Sequence, residues 1–184
     1  MSTIYYLIGY PGVGKYTVAQ ALAERTGARI VDNHLANNPI FSLLPLDGIT
    51  AIPEAAWERV KAIRDIVFDT MEHLSPREFS FILTNVLHDD EGDRSLFAQV
   101  EALAKARSSL FIPVLLSCTE EENCRRVTSP GRAKRLKDTS AENVRTLRAE
   151  KPLLPVAHPN TLRLDTTMLA AEEVVEKILA VNAS

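Results

Sequence analysis

Apolar residues alternate in kind along the chain between short β-branched runs and longer stretches with a step of three or four. Ile4-Tyr5-Tyr6-Leu7-Ile8 is a brief apolar run rich in aromatic and β-branched residues, and it stops at Gly9. Such a run predicts a strand buried on both faces. Lys15 to Arg25 predicts a helix closed by Gly27, and Arg29-Ile30-Val31-Asp32 a second, short strand. From Asn33 to Ile52 the chain is broken by Asn and Pro and follows no single period. Loops this long inside a compact chain usually carry function. Pro53 opens a long helix whose apolar stripe is Trp57, Val60, Ile63, Val67, Met71 and Leu74, with Trp57 expected in the core. Ser75-Pro76 ends it.

Phe79 to Leu87 reads as a third strand, followed by an acidic loop and a helix from about Asp93 to Arg107. Leu110 to Leu116 is almost continuously apolar, as in a parallel strand covered on both sides. Thr119 and Glu122 make a capping-box pattern, Thr139 and Glu142 another, so a helix is expected after each. Leu162-Arg163-Leu164 is a last strand, leading through Asp165-Thr166-Thr167 to a terminal helix from about Ala171 to Leu179. Strands alternating with helices in this way predict an α/β fold with a parallel sheet sandwiched between helices. In such folds ligands sit beyond the carboxyl ends of the strands.

Composition narrows the class without naming it. The 184 residues suit one domain, and 46% hydrophobic with 24% charged residues is the balance of a globular chain. No apolar run reaches the length of a membrane span, and Met1-Ser2-Thr3-Ile4 has no basic segment before an apolar one, so a cytoplasmic protein is expected. Cys118 and Cys124 are expected to be free thiols, and neither has the spacing of a zinc site. With 21 basic and 24 acidic residues the net charge is −3, which argues against nucleic acid or membrane as a partner of the whole surface. The basic residues are nevertheless concentrated: Arg125, Arg126, Arg132, Lys134, Arg135 and Lys137 come with no acid among them.

The most specific signal follows the first strand. Gly9-Tyr10-Pro11-Gly12-Val13-Gly14-Lys15-Tyr16-Thr17 has the spacing of a phosphate-binding loop, or Walker A motif. Glycines let the backbone turn tightly and gather N–H groups into an anion nest. The helix behind it adds its positive end, and Lys15 a mobile point charge for the β- and γ-phosphates. Tyr16 departs from the motif, because the residue after the lysine is ordinarily Ser or Thr, whose hydroxyl meets Mg²⁺.

The string Gly-x-Pro-Gly-x-Gly-Lys-x-Thr over residues 9–17 resembles the loop of adenylate kinases and related nucleoside monophosphate kinases. In more general order the chain is similar to shikimate kinase, gluconate kinase and chloramphenicol phosphotransferase, all small P-loop kinases. The resemblance implies a three-layer P-loop fold with a five-stranded parallel sheet in the order 2-3-1-4-5. It implies nucleotide contacts from Gly9, Pro11, Gly12, Val13, Gly14, Lys15, Tyr16 and Thr17, with Arg125, Arg132 and Thr166 on the adenine and lid side. It also implies that Thr17, rather than Tyr16, meets the α/β-phosphates, and that the metal is anchored elsewhere. The nucleoside monophosphate kinase string Asp-Gly-Phe-Pro-Arg is absent, and Asn85 stands where an acid is expected, so the acceptor stays open.

On the residues themselves, Asp32 at a strand end is the candidate base, or the anchor of Mg²⁺ through water. His34, Arg64 and Asn85 are candidate acceptor contacts, although His34 also reads as an exposed loop histidine, and Arg59 and Arg64 as a solvated helix face. Asp89, Asp90 and Asp93 read as a turn and helix cap more than as metal-water partners. Residues 129–138 are expected to close as a basic lid hinged at Ser129-Pro130-Gly131, with Arg132 meeting the transferring phosphoryl group. Residues 33–75 form the acceptor side. The expectation is a kinase using ATP and Mg²⁺ on a small-molecule acceptor, acting as a monomer or homodimer. Two other readings stand beside it: a nucleotide-binding switch or weak ATPase, suggested by Tyr16 and Asn85, and a kinase of nucleic-acid ends, suggested by the basic segment.

Overall fold

A computed structural model describes residues 1–45, 52–129 and 140–181. Five strands form one sheet: β1 Thr3–Ile8, β2 Arg29–Asp32, β3 Phe81–Asn85, β4 Leu110–Ser117 and β5 Leu162–Asp165. All pairs are parallel, and the order β2-β3-β1-β4-β5 is the one the sequence resemblance implies. Helices α1 Lys15–Thr26, α2 His34–Phe41, α3 Glu54–His73, α4 Glu91–Ala106, α5 Glu120–Val127, α6 Ala141–Glu150 and α7 Ala171–Ala180 complete the described elements. None is long and apolar enough to cross a membrane.

The pleat divides the core in two. Tyr5, Leu7, Ile82, Ile112, Val114 and Leu116 face α1 and α7, meeting Val18, Leu22, Val174 and Ile178. Ile4, Tyr6, Ile8, Phe81, Leu83 and Phe111 face the other way, against Met71 of α3 and Leu96, Val100 and Leu103 of α4. Every residue of β1 is buried, which is what a central parallel strand requires. β1 lies between β3 and β4, so the loop that leaves it emerges over the middle of the sheet edge.

Two expectations need correction. The Asn33–Ile52 stretch, which shows no period, contains α2, a two-turn helix with Pro39 inside it. The helix forms because Asp32 Oδ1 accepts from the His34 N–H at 2.9 Å and Asn33 O accepts from Ala36 and Asn37. Three of its first N–H donors are thereby satisfied before proline removes one from further along. Trp57 is not core: it is 43% exposed and packs its ring edge-on against Phe41, with centroids 5.0 Å apart. Of α3, Met71 packs into the core beneath the sheet with Val67 and Phe68 partly buried against it, Val60 is buried, and Leu74 has left the last turn and is exposed.

Arg107, just after α4, is the largest buried side chain among the described residues. Its guanidinium donates to the Met71 carbonyl, to Pro76 O at 2.7 Å and to Phe79 O at 3.2 Å, tying the end of α3 and the turn into β3. A five-donor fork suits a helix end with several open carbonyls. Replacing it leaves those carbonyls buried without donors, at a cost of about 1–3 kcal/mol for each one that water cannot reach. Arg107→Met is therefore expected to lose about 2–4 kcal/mol of stability, read as a lower urea midpoint at unchanged slope.

Candidate functional site

The loop from β1 to α1 keeps its shape through contacts made from outside it. At Gly9 a Cβ would run into the Leu116 carbonyl oxygen of β4. At Gly12, with φ +89°, it would come within 2.6 Å of Val127 Cγ2 on α5. At Gly14, φ +95°, a Cβ would make only an ordinary contact, 3.8 Å from Arg126 Nη1, so there it is the left-handed backbone that calls for glycine. The loop carbonyls already have donors. Asn123 Nδ2 gives Pro11 O a 2.6 Å bond, Thr166 Oγ1 reaches Val13 O at 3.1 Å, and Lys15 Nζ lies 2.6 Å from Gly9 O and 3.0 Å from Tyr10 O. At the start of α1, no side chain caps Gly14 and no acid occupies the first turn. The amide end of the helix is thus turned to the cleft with neither a side-chain cap nor a first-turn acid.

That cleft measures about 700 Å³, within the range of small-molecule sites. Pro11, Gly12, Val13, Gly14, Lys15, Tyr16 and Thr17 line one side, as the motif predicts. Asp32, His34 and Thr84 come from the adjoining strand ends, and Arg125, Arg126, Ser129 and Thr166 from the other flank. Gly9 stands behind the loop, where its carbonyl receives Lys15.

Asp32 and His34 form a pair. Asp32 is 7% exposed, and the His34 ring places Nδ1 2.7 Å from the same carboxylate oxygen that accepts its own N–H. An ionised carboxylate only accepts, so Nδ1 is the donor in this contact and Nε2 is left facing away from Asp32. His34 is therefore an oriented cleft residue, and the exposed-loop reading is set aside.

On the opposite flank the arginines divide. Arg125 is largely exposed and bound to Glu122 through Nε and Nη2, both at 2.6 Å. Arg126 is more enclosed, held by Glu122 Oε1 at 2.6 Å, and donates to Thr166 Oγ1 at 3.0 Å and Thr166 O at 2.7 Å. Hydrogen bonds from Arg125 and Arg126 hold the Glu122 carboxyl down to about 2, so this clamp stays ionised through the neutral range. Thr166 braces the loop against β4, with its N–H on Ser117 O at 2.8 Å.

Three candidates lie off the cleft wall. Asn85 is on the opposite face of β3 from Thr84, and its carbonyl accepts from Gly9 N at 3.3 Å. Arg64, partly buried on α3, has no hydrogen bond among the described residues, and its Nε is fully enclosed. Arg59 instead donates to Ala55 O on its own helix. Arg132 and the rest of the basic segment beyond Ser129 lie outside the described residues. Asp90 caps α4 by accepting from Asp93 N, and Asp89 pairs with Arg94, so the acidic loop is a turn and cap. Cys118 and Cys124 are buried and unbridged. Asn123 and Thr84 had no signal of their own in the sequence, while Arg126 stood in the basic run without being told apart from Arg125.

Comparison with known proteins now has a geometry to rest on. No curated protein is similar in sequence at a significant level. A gluconokinase from Sinorhizobium meliloti superposes with a TM-score of 0.66 at 17% identity, covering 99% of this chain and 91% of the other. A sugar kinase from Janibacter sp. HTCC2649 gives 0.64 at 15%, covering 100% and 95%. Shikimate kinase from Acinetobacter baumannii, solved with shikimate, gives 0.59 at 19%, covering 100% and 94%. The family model described as AAA domain matches residues 6–149. The chain belongs to that AAA-domain family, and its fold is that of the small P-loop kinases.

Proposed function

We propose that the protein is an ATP-dependent phosphotransferase with a small-molecule acceptor. The observation that carries this reading is one cleft in which the amide end of α1, with Lys15, is joined by a buried carboxylate and its partly buried imidazole partner at the end of β2, one strand beyond β3.

The phosphates bind where loop and helix amides converge. Lys15 exchanges the Gly9 and Tyr10 carbonyls for phosphate oxygens, and a charged partner makes the stronger bond. Thr17, on the outer side of the first turn, serves the α/β side. Arg126, fixed by Glu122 and Thr166, adds positive charge to the flank without a change of rotamer, and Arg125 lies beside it. Asp32 takes the acceptor hydroxyl proton, with His34 holding its carboxylate in one orientation. Arg132 is the residue proposed to meet the charge spread over the transferring phosphoryl oxygens, and Arg64, on α3, the contact proposed for the far end of the acceptor.

The donor set in the cleft fits magnesium. Asp32 supplies a carboxylate, and among the described residues no cluster of three or more His, Cys, Asp or Glu forms a cage. Such a site would leave the ion to phosphate oxygens and water, and Asp32 would hold it through water. Bound magnesium would neutralise charge on the β- and γ-oxygens.

A panel of sugars, nucleosides, antibiotics and hydroxy acids tests the transfer directly. At least one acceptor is expected to raise ADP release well above the rate with ATP alone. Release that stays at the ATP-only rate across such panels favours the switch or weak ATPase. The departure at Tyr16 is tested separately: Tyr16→Phe is expected to keep Mg²⁺-dependent turnover within about tenfold, roughly 1.4 kcal/mol in the barrier. Collapse of turnover with the circular dichroism spectrum unchanged would assign the phenolic oxygen a direct part.

A further inference from the structure

Thr84, in β3, is 1% exposed, and its Oγ1 is fully buried with no hydrogen-bond partner among the described residues. A hydroxyl in that state destabilises the fold, because it gave up water and received nothing in return. Valine has the same shape and would avoid the penalty. Thr84 shares its face of β3 with Ile82, which packs towards α1, and it lies on the wall of the cleft. Its register neighbours are Asp32 on β2 and Leu7 on β1. Since β3 runs between those two strands, Thr84 stands between the carboxylate-bearing end of β2 and the phosphate loop that follows β1.

We propose that Thr84 Oγ1 is a positioning group for the hydrated divalent cation that accompanies the bound triphosphate, acting beside Asp32 from the paired strand. The proposal rests on the phosphotransferase reading. Three observations converge on it. Tyr16 occupies the loop position from which a short hydroxyl would meet the ion. Asn85, the polar residue next along β3, is on the far face. Among the described residues Thr84 is then the one strand-borne hydroxyl lining the cleft between the loop and Asp32. A neutral hydroxyl cannot replace a carboxylate as a charge, so its part is to exchange hydrogen bonds with a water of the ion's shell. Bound waters of that kind satisfy buried polar groups that protein atoms leave open.

Calorimetric titration of a non-hydrolysable ATP analogue into the wild type, Thr84→Val and Thr84→Ser, each in EDTA and in Mg²⁺, tests this. The wild type is expected to bind about tenfold more tightly with Mg²⁺ than without. Thr84→Val should match it in EDTA and lose most of that gain, and Thr84→Ser should keep it. Without ligand, Thr84→Val should melt about 2–4 °C higher, since it removes an unpaired buried hydroxyl. A full Mg²⁺ gain in Thr84→Val overturns the inference and leaves the phosphotransferase reading standing. A lower melting temperature in Thr84→Val overturns it too, by showing a structural bond. Absence of nucleotide binding by the wild type in both buffers overturns the phosphotransferase reading itself.

Discussion

The site depends on how the β1–α1 loop is held. A loop that must leave its amides to a ligand needs its carbonyls satisfied from elsewhere, since few buried backbone groups stay unpaired. Here Asn123 of α5 takes Pro11 O, Thr166 takes Val13 O, and Lys15 folds back over Gly9 and Tyr10. The approach is close enough that side chains at Gly9 and Gly12 would collide with β4 and α5. Those glycines are thus required by the neighbours of the loop, and Gly14 by its own left-handed turn.

The braces are themselves connected. Arg148 of α6 bonds Asn123 Oδ1 and stacks over the Tyr10 ring, so α6 reaches the loop by two routes. Tyr10 in turn donates to Lys151 O at the end of that helix. On the other flank Glu122 binds Arg126, which binds Thr166, which binds Val13. Helices α5 and α6, on either side of residues 128–140, are both tied to the phosphate loop.

Much of this was legible in the sequence. The strands were marked by short apolar runs, and the loop by a spacing whose chemistry explains each residue. Asp32 stood out because strand ends are where α/β sites lie. What could not be read has physical causes. β3 is buried on both faces, so hydrophobic alternation did not tell whether Thr84 or Asn85 looks into the cleft. Arg125 and Arg126 are both within helical reach of Glu122, and only the docking of α5 on the loop separates them. Helix α2 is short, Asn-rich and interrupted by Pro39, and it owes its start to the Asp32 side chain. Trp57 had the spacing of a core residue but found its partner on α2 instead of the sheet.

The central claim is that the open amide end of α1, with Lys15, is the seat of the triphosphate. Amide chemical shifts of ¹⁵N-labelled protein during titration with a non-hydrolysable ATP analogue and Mg²⁺ test it most directly, compared between the wild type and Lys15→Ala. The account predicts saturable shifts concentrated in residues 12–17 of the wild type, with midpoints at least tenfold higher in Lys15→Ala. Loop amides that stay still at saturating nucleotide, or that shift equally in both proteins, would contradict it.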